Sequence, residues 1–168
     1  MLNLQPLDII VTRDRTPISW WLRVKTGSEW SHVCLAGENK TVYTTSMFGF
    51  EHRLLEDYLK RKSFAVYRFP GLQKEQIDYG LKLCHQELNK PYAYSDLFRM
   101  ILQNYRGRGV KQIKHDSQNF FCSEFVAYVY WQMGLKLAPQ KHKEPSGYTP
   151  ADCIDDQRLD LIGGADRN

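Results

Sequence analysis

No stretch of this 168-residue sequence approaches the roughly 18–20 consecutive apolar residues that a membrane-spanning helix needs. The opening residues, Met-Leu-Asn-Leu-Gln-Pro-Leu-Asp, lack the basic segment and the long apolar stretch of a secretory signal. The expectation is a cytoplasmic protein by default, with delivery outside the cell by another route left open. Cysteine is sparse: Cys34, Cys84, Cys122 and Cys153 include no CxxC pair, and their spacings fit no zinc pattern. A chain of this size with 42% hydrophobic residues buries a core without staples, so the four read as free thiols in a reducing compartment. Neither sign of charge dominates, with 23 Lys+Arg against 19 Asp+Glu and a net charge of +4. That mild excess suits an anionic partner and selects none. Arg106, Arg108, Lys111 and Lys114 form the nearest thing to a basic run and read as a solvated loop, so no nucleic-acid partner is expected. Internal repeats, low-complexity tracts and linkers are also missing, which predicts one domain over residues 1–168.

What is present divides into two halves. Leu7 to Thr12 (LDIIVT) is apolar and β-branched and predicts a buried strand. Thr16 to Thr26 predicts a short helix, with Thr16 as N-cap, Pro17 in the first position and Gly27 as the stop. Trp30 to Ala36 and Thr41 to Ser46 predict two strands joined by a hairpin turn at Glu38-Asn39-Lys40. Phe48 to Leu55 and Phe64 to Phe69 add two more strand candidates. Helices follow. Ile77, Leu81, Cys84 and Leu88 fall on one face of a helix over Gln73 to Leu88. Tyr94 to Asn104 and Asn119 to Met133 read as further helices, the second closed by Gly134. Thr149-Pro150-Ala151-Asp152 has the form of a helix start. Strands first and helices after predict an α+β fold, an antiparallel sheet packed against helices.

Two residues stand out chemically. Cys122 sits near the start of the strongest helix, where free backbone N–H groups and the helix dipole favour a thiolate and could stabilise an oxyanion. His32 lies in an otherwise apolar strand, Ser31-His32-Val33-Cys34-Leu35, where an imidazole must be hydrogen-bonded or functional. It can act as base toward a thiol. Thr44 and Thr45, on the next strand, could orient it; Glu51 and His52 are alternatives. His52, His85, His115 and His142 otherwise read as solvated, Cys34 and Cys84 as core residues. The aromatic group Trp20, Trp21 and Trp30 reads mainly as packing, with surface membrane contact the alternative.

Three segments, "PLDIIV…SEWSHVCLAG", "LNKPYAYSDL…FFCSEFVAYVYWQMG" and "YTPADC", resemble the permuted papain-like amidases, which are related to the NlpC-type cell-wall cysteine peptidases and include the YiiX/YebB-like branch. In unpermuted relatives the cysteine helix precedes the histidine strand; here Ser31-His32 comes before Phe121-Cys122-Ser123-Glu124. Lecithin:retinol acyltransferase-like enzymes share this order. The resemblance implies a circularly permuted papain-like (NlpC-type) fold, with Cys122 as nucleophile, His32 as base and Tyr92 lining the site near the oxyanion. The third polar slot of the relatives falls on or near Thr44, which leaves Glu51 or His52 to supply the role, or a dyad. The implied activity is a cysteine amidase or peptidase acting on a peptidoglycan-type peptide or a lipid-linked amide, without cofactor or metal. An acyl-lipid thioesterase or acyltransferase, and an inactive binding module of the same fold, are the alternatives. The polar end of the chain, Gly163 to Asn168, counts against the lipid branch, whose members often end in an anchor.

Overall fold

The computed structural model describes residues 3–46, 49–88, 122–145 and 147–166. Six strands form one antiparallel sheet: β1 (Ile9–Arg13), β2 (His32–Ala36), β3 (Thr41–Ser46), β4 (Gly49–Leu54), β5 (Ser63–Arg68) and β6 (Asp160–Ala165). Their spatial order is β4-β3-β2-β1-β5-β6. The helices are α1 (Pro17–Thr26), α2 (Leu55–Leu59), α3 (Lys74–Glu87) and α4 (Cys122–Gln132). The α+β expectation therefore holds.

Side chains alternate across each strand and divide the core into two layers. Ile9, Val11, Val33, Leu35 and Tyr43 face α3 and α4, where Leu81, Cys84, Phe125, Val126 and Val129 meet them. Ile10, Cys34, Ala36, Val42 and Val66 face the other way, onto Tyr58 and Leu59 of α2. Phe125 of α4 lies 4.3 Å, centroid to centroid, from Phe50 of β4. The Tyr130 hydroxyl of α4 donates to the carbonyl of Leu7 at 2.9 Å, holding a residue whose φ of 68° is costly for leucine. These contacts fix α4 against the middle of the sheet.

Local chemistry accounts for most boundaries. Thr16 accepts a hydrogen bond from the Ser19 N–H, Pro17 follows it, and Gly27 closes α1 in the left-handed region, its N–H returning to Arg23. Asn39 and Lys40 both take positive φ, the pairing a two-residue hairpin turn between β2 and β3 requires. Inside the sheet, Arg68 makes a two-pronged contact with Asp8, at 2.8 and 2.7 Å, and Asp8 is only 2% exposed.

Three features depart from the sequence-based expectation. Residues 160–165 form an edge strand, and Leu55–Leu59 form a one-turn helix, where neither was expected. Thr149 to Asp152 starts no helix. Thr149 and Asp152 exchange hydrogen bonds as a cap would, but the chain then turns away, and Asp156 spends its carboxylate on the Ala138 N–H and on Arg158. The expected helix at Tyr94 to Asn104 and the basic loop after it lie outside the described residues, as does His115.

Candidate functional site

The β1–β2 register sets which way the backbone of β2 points. The Ala36 N–H donates to the carbonyl of Asp8, so even-numbered N–H groups of β2 face β1 and odd-numbered ones face β3. On the β3 side the ladder pairs Ala36 with Val42 and Leu35 with Tyr43, and goes no further. The next odd N–H, that of Val33, would meet Thr45 if the ladder continued. The Cys122 sulfur lies against it instead. The start of α4 is thus wedged where β2 and β3 part.

Two more backbone N–H groups, those of Cys122 and Ser123, also point at this sulfur. All three favour the thiolate. Burial opposes them and prevails, with the Glu124 charge adding to it, and the thiol sits above its ordinary range. The helix start does not make Cys122 a resting thiolate, as the sequence suggested; desolvation outweighs the N–H groups. Of the four cysteines it is nonetheless the accessible one: Cys122 is half-buried, while Cys34, Cys84 and Cys153 are buried. Burial pushes the Cys34 thiol up to about 12.

The residues after Cys122 anchor it. Ser123 donates its hydroxyl to the carbonyl of Tyr148, and Glu124 accepts from the Gly147 N–H at 3.0 Å. Cys153 donates its S–H to the carbonyl of Ser123 at 3.4 Å. Ser123 and Glu124 thereby tie the first turn of α4 to the loop that follows it, and fix where the sulfur stands.

His32 begins β2, one residue before Val33. Its Nε2 lies 2.9 Å from the Thr44 hydroxyl. By register Thr44 would stand opposite Cys34, so it meets His32 diagonally on the same face of the sheet. Tyr58 of α2 faces the ring at 6.3 Å, centroid to centroid, and its hydroxyl lies 3.4 Å from that of Thr12. Which of Nε2 and the Thr44 hydroxyl donates follows the tautomer of the ring. Burial lowers the imidazole pKa to about 3, and the Lys62 ammonium assists, while Asp14 opposes weakly. The resting pair is a neutral thiol and a neutral imidazole.

Among the described residues, no hydrogen bond joins the Cys122 sulfur to the imidazole. The two are linked through strand β2, with the sulfur on the Val33 N–H and the ring on the preceding residue. Thr44 does meet His32. Glu51 stands opposite Thr44 on β4, but its carboxylate takes the Ser46 hydroxyl and lies 3.8 Å from Arg53, so it does not orient the ring. His52 turns to the other face, bonding Thr41 at 2.7 Å and stacking on Tyr43 at 4.4 Å. It is removed as an alternative orienter, because its neighbour Glu51, not His52, shares the face of Thr44. Of the other described histidines, His85 is exposed, as expected, and also bonds the Tyr43 hydroxyl at 2.9 Å, while His142 is half-buried, stacks on Tyr148 and pairs with Asp152. Tyr92 lies outside the described residues. Sequence reasoning missed Tyr58, whose only signal was an aromatic in a five-residue element too short to show a period.

No family model matches the chain, and no curated protein is significantly similar to it. Among solved structures, it is similar to the crystal structure of the metalloprotein yiiX from Escherichia coli O157:H7, a DUF1105 protein. The two share 21% identity, with a TM-score of 0.70 over 96% of this chain and 97% of that one. At that identity the likeness establishes a shared fold.

Proposed function

We propose that this chain is a cysteine-dependent amide hydrolase on a circularly permuted papain-like fold, with Cys122 as nucleophile and His32 as base. The observation that carries the proposal is the placement of a helix-start sulfur against β2 at Val33, one residue along the strand from His32, whose ring bonds Thr44. The His32 ring takes the thiol proton as the sulfur attacks the carbonyl carbon, because both groups rest neutral. Negative charge develops on the carbonyl oxygen near the N–H groups at the start of α4. The amine leaves with the proton from His32. Water, activated by the same ring, then releases the acid from the thioester. Thr44 acts through His32, and is a positioning residue.

The yiiX protein is named a metalloprotein. Among the described residues here, no three of His, Cys, Asp and Glu gather to hold a metal ion. The chemistry above runs through side chains of the chain itself.

Peptidoglycan-type peptides are the first substrate class to test, and lipid-linked acyl groups the second. The second is favoured by α1, which leaves Ile18, Trp20 and Val24 about 60% exposed. The purified protein is incubated with peptidoglycan fragments and, separately, with phospholipid, and products are identified by mass spectrometry. Cys122→Ala should abolish turnover with the circular dichroism unchanged, and His32→Ala should be nearly as damaging. Turnover surviving in Cys122→Ala overturns the mechanism.

A further inference from the structure

At the end of the sheet where His32 lies, a cavity of about 290 Å³ opens between β1, α1, the α2–β5 turn and the end of β6. It is lined by Arg13, Asp14, Arg15, Arg23, Arg61, Ser63 and Asp166. Four guanidinium groups face two carboxylates, a net charge of +2 on the wall.

The carboxylates are already engaged. Asp14 accepts from the Thr16 N–H and hydroxyl, at 3.0 and 2.5 Å, which caps the entry to α1. Asp166 accepts from the Ser63 hydroxyl at 2.8 Å and from Arg13 at 3.0 Å. Arg13 is further held by Glu29 at 2.6 Å. Arg15, Arg23 and Arg61 have no ion pair among the described residues. The Nε of Arg23 is buried without a hydrogen-bond partner among the described residues. Arg61 presents its side chain from a residue with φ of 66°, a conformation that disfavours any side chain, arginine included. Three guanidinium groups without an ion pair among the described residues therefore converge from the stretch through α1 and from the α2–β5 turn.

We propose that this cavity is an oxyanion site for a dianionic phosphate group, held by Arg15, Arg23 and Arg61. The wall charge matches a dianion, and planar guanidinium groups suit phosphate oxygens in bidentate contact. At about 290 Å³ the space lies at the small end of ligand pockets, enough for a phosphate and a small esterified group. The same group could belong to a soluble phosphomonoester or to a lipid headgroup, and α1 borders the cavity with its exposed Trp20 and Val24.

The test is direct binding, so it stands or falls apart from the cysteine chemistry. Calorimetric titration of the full chain with glycerol 3-phosphate at pH 8 and low salt, where the ester is dianionic, should give a saturable single site. Arg15→Gln and Arg61→Gly should each weaken it at least tenfold. Both side chains are exposed, and glycine suits the backbone of residue 61, so the fold survives. Raising the salt should weaken binding further. Vesicles of phosphatidylcholine containing phosphatidic acid form the second arm. Sedimentation with them that Arg61→Gly abolishes, and that glycerol 3-phosphate displaces, assigns the lipid source; titration without sedimentation assigns the soluble one. Absence of saturable binding in both arms overturns the proposal. So does equal binding by the variants, or acetate binding as tightly as the phosphate.

Discussion

Replacing His32 by glutamine should change the pH dependence of folding by a calculable amount. In the folded chain the imidazole stays neutral down to about pH 3, because burial and Lys62 disfavour its charge. In the unfolded chain it titrates near 6.5. As pH falls below 6.5, the unfolded state gains a proton that the folded state refuses, so the folded state loses ground. The contribution of His32 to stability is complete above about pH 7 and erodes as pH falls toward 3. Each pH unit in that window costs slightly more than 1 kcal/mol, so the loss is between about 1 and 2 kcal/mol at pH 5.5 and between about 2 and 3 kcal/mol at pH 4.5, relative to pH 7.5. His32→Gln has no such proton to take up. Urea unfolding of both proteins at pH 7.5, 5.5 and 4.5 isolates the term, since all other groups cancel in the difference. The advantage of the parent chain over the variant should shrink by those amounts and can reverse at the lowest pH. Parallel curves for the two proteins would mean that the ring charges freely in the folded state, and the account of His32 as a neutral base would fail.

Three other outcomes follow from the packing. Iodoacetamide should label Cys122 before Cys34, Cys84 or Cys153, with a rate that climbs through pH 9; peptide mapping that shows a plateau below pH 8 would indicate a preformed thiolate instead. Arg68→Ala strands the Asp8 carboxylate, 2% exposed, without its cation and should cost about 3–5 kcal/mol in denaturant unfolding at pH 7. Gly164→Ala places a Cβ 2.5 Å from the carbonyl oxygen of Phe64, and should lower the melting temperature by weakening the β5–β6 edge, with a penalty of about 1–3 kcal/mol.

The elements that local chemistry specifies were the legible ones. Thr16-Pro17 and Gly27 bracket α1, and the β-branched run Thr41 to Ser46 matches β3 end to end. The sixth strand was not legible. Gly163 and Gly164 carry no strand propensity, and Gly164 is there because the β5 backbone passes too close for a side chain. That His32 faces the strand Thr41 to Ser46 could be anticipated from the hairpin; the register could not, because an extra residue at Gly37-Glu38 shifts it from what the turn at Asn39-Lys40 alone gives. The choice of Thr44 over Glu51 or His52 could not, because it depends on what each side chain bonds on its own face. The thiol was misjudged for a related reason. Helix position shows in a sequence, while the desolvation that outweighs it is a property of the packed chain.

The parting of β2 from β3 beyond Leu35 has a consequence for how far this protein can be improved. The Thr45 hydroxyl beside the gap is buried with no hydrogen-bond partner among the described residues, and the ladder forgoes the bond that Val33 and Thr45 would otherwise share. Substitutions that zip the two strands together would strengthen the sheet and evict the sulfur from its berth. If the proposed cysteine chemistry holds, selection for heat resistance alone should therefore drift toward a tougher molecule without it, and the small flaw in the sheet is where that conflict would be decided.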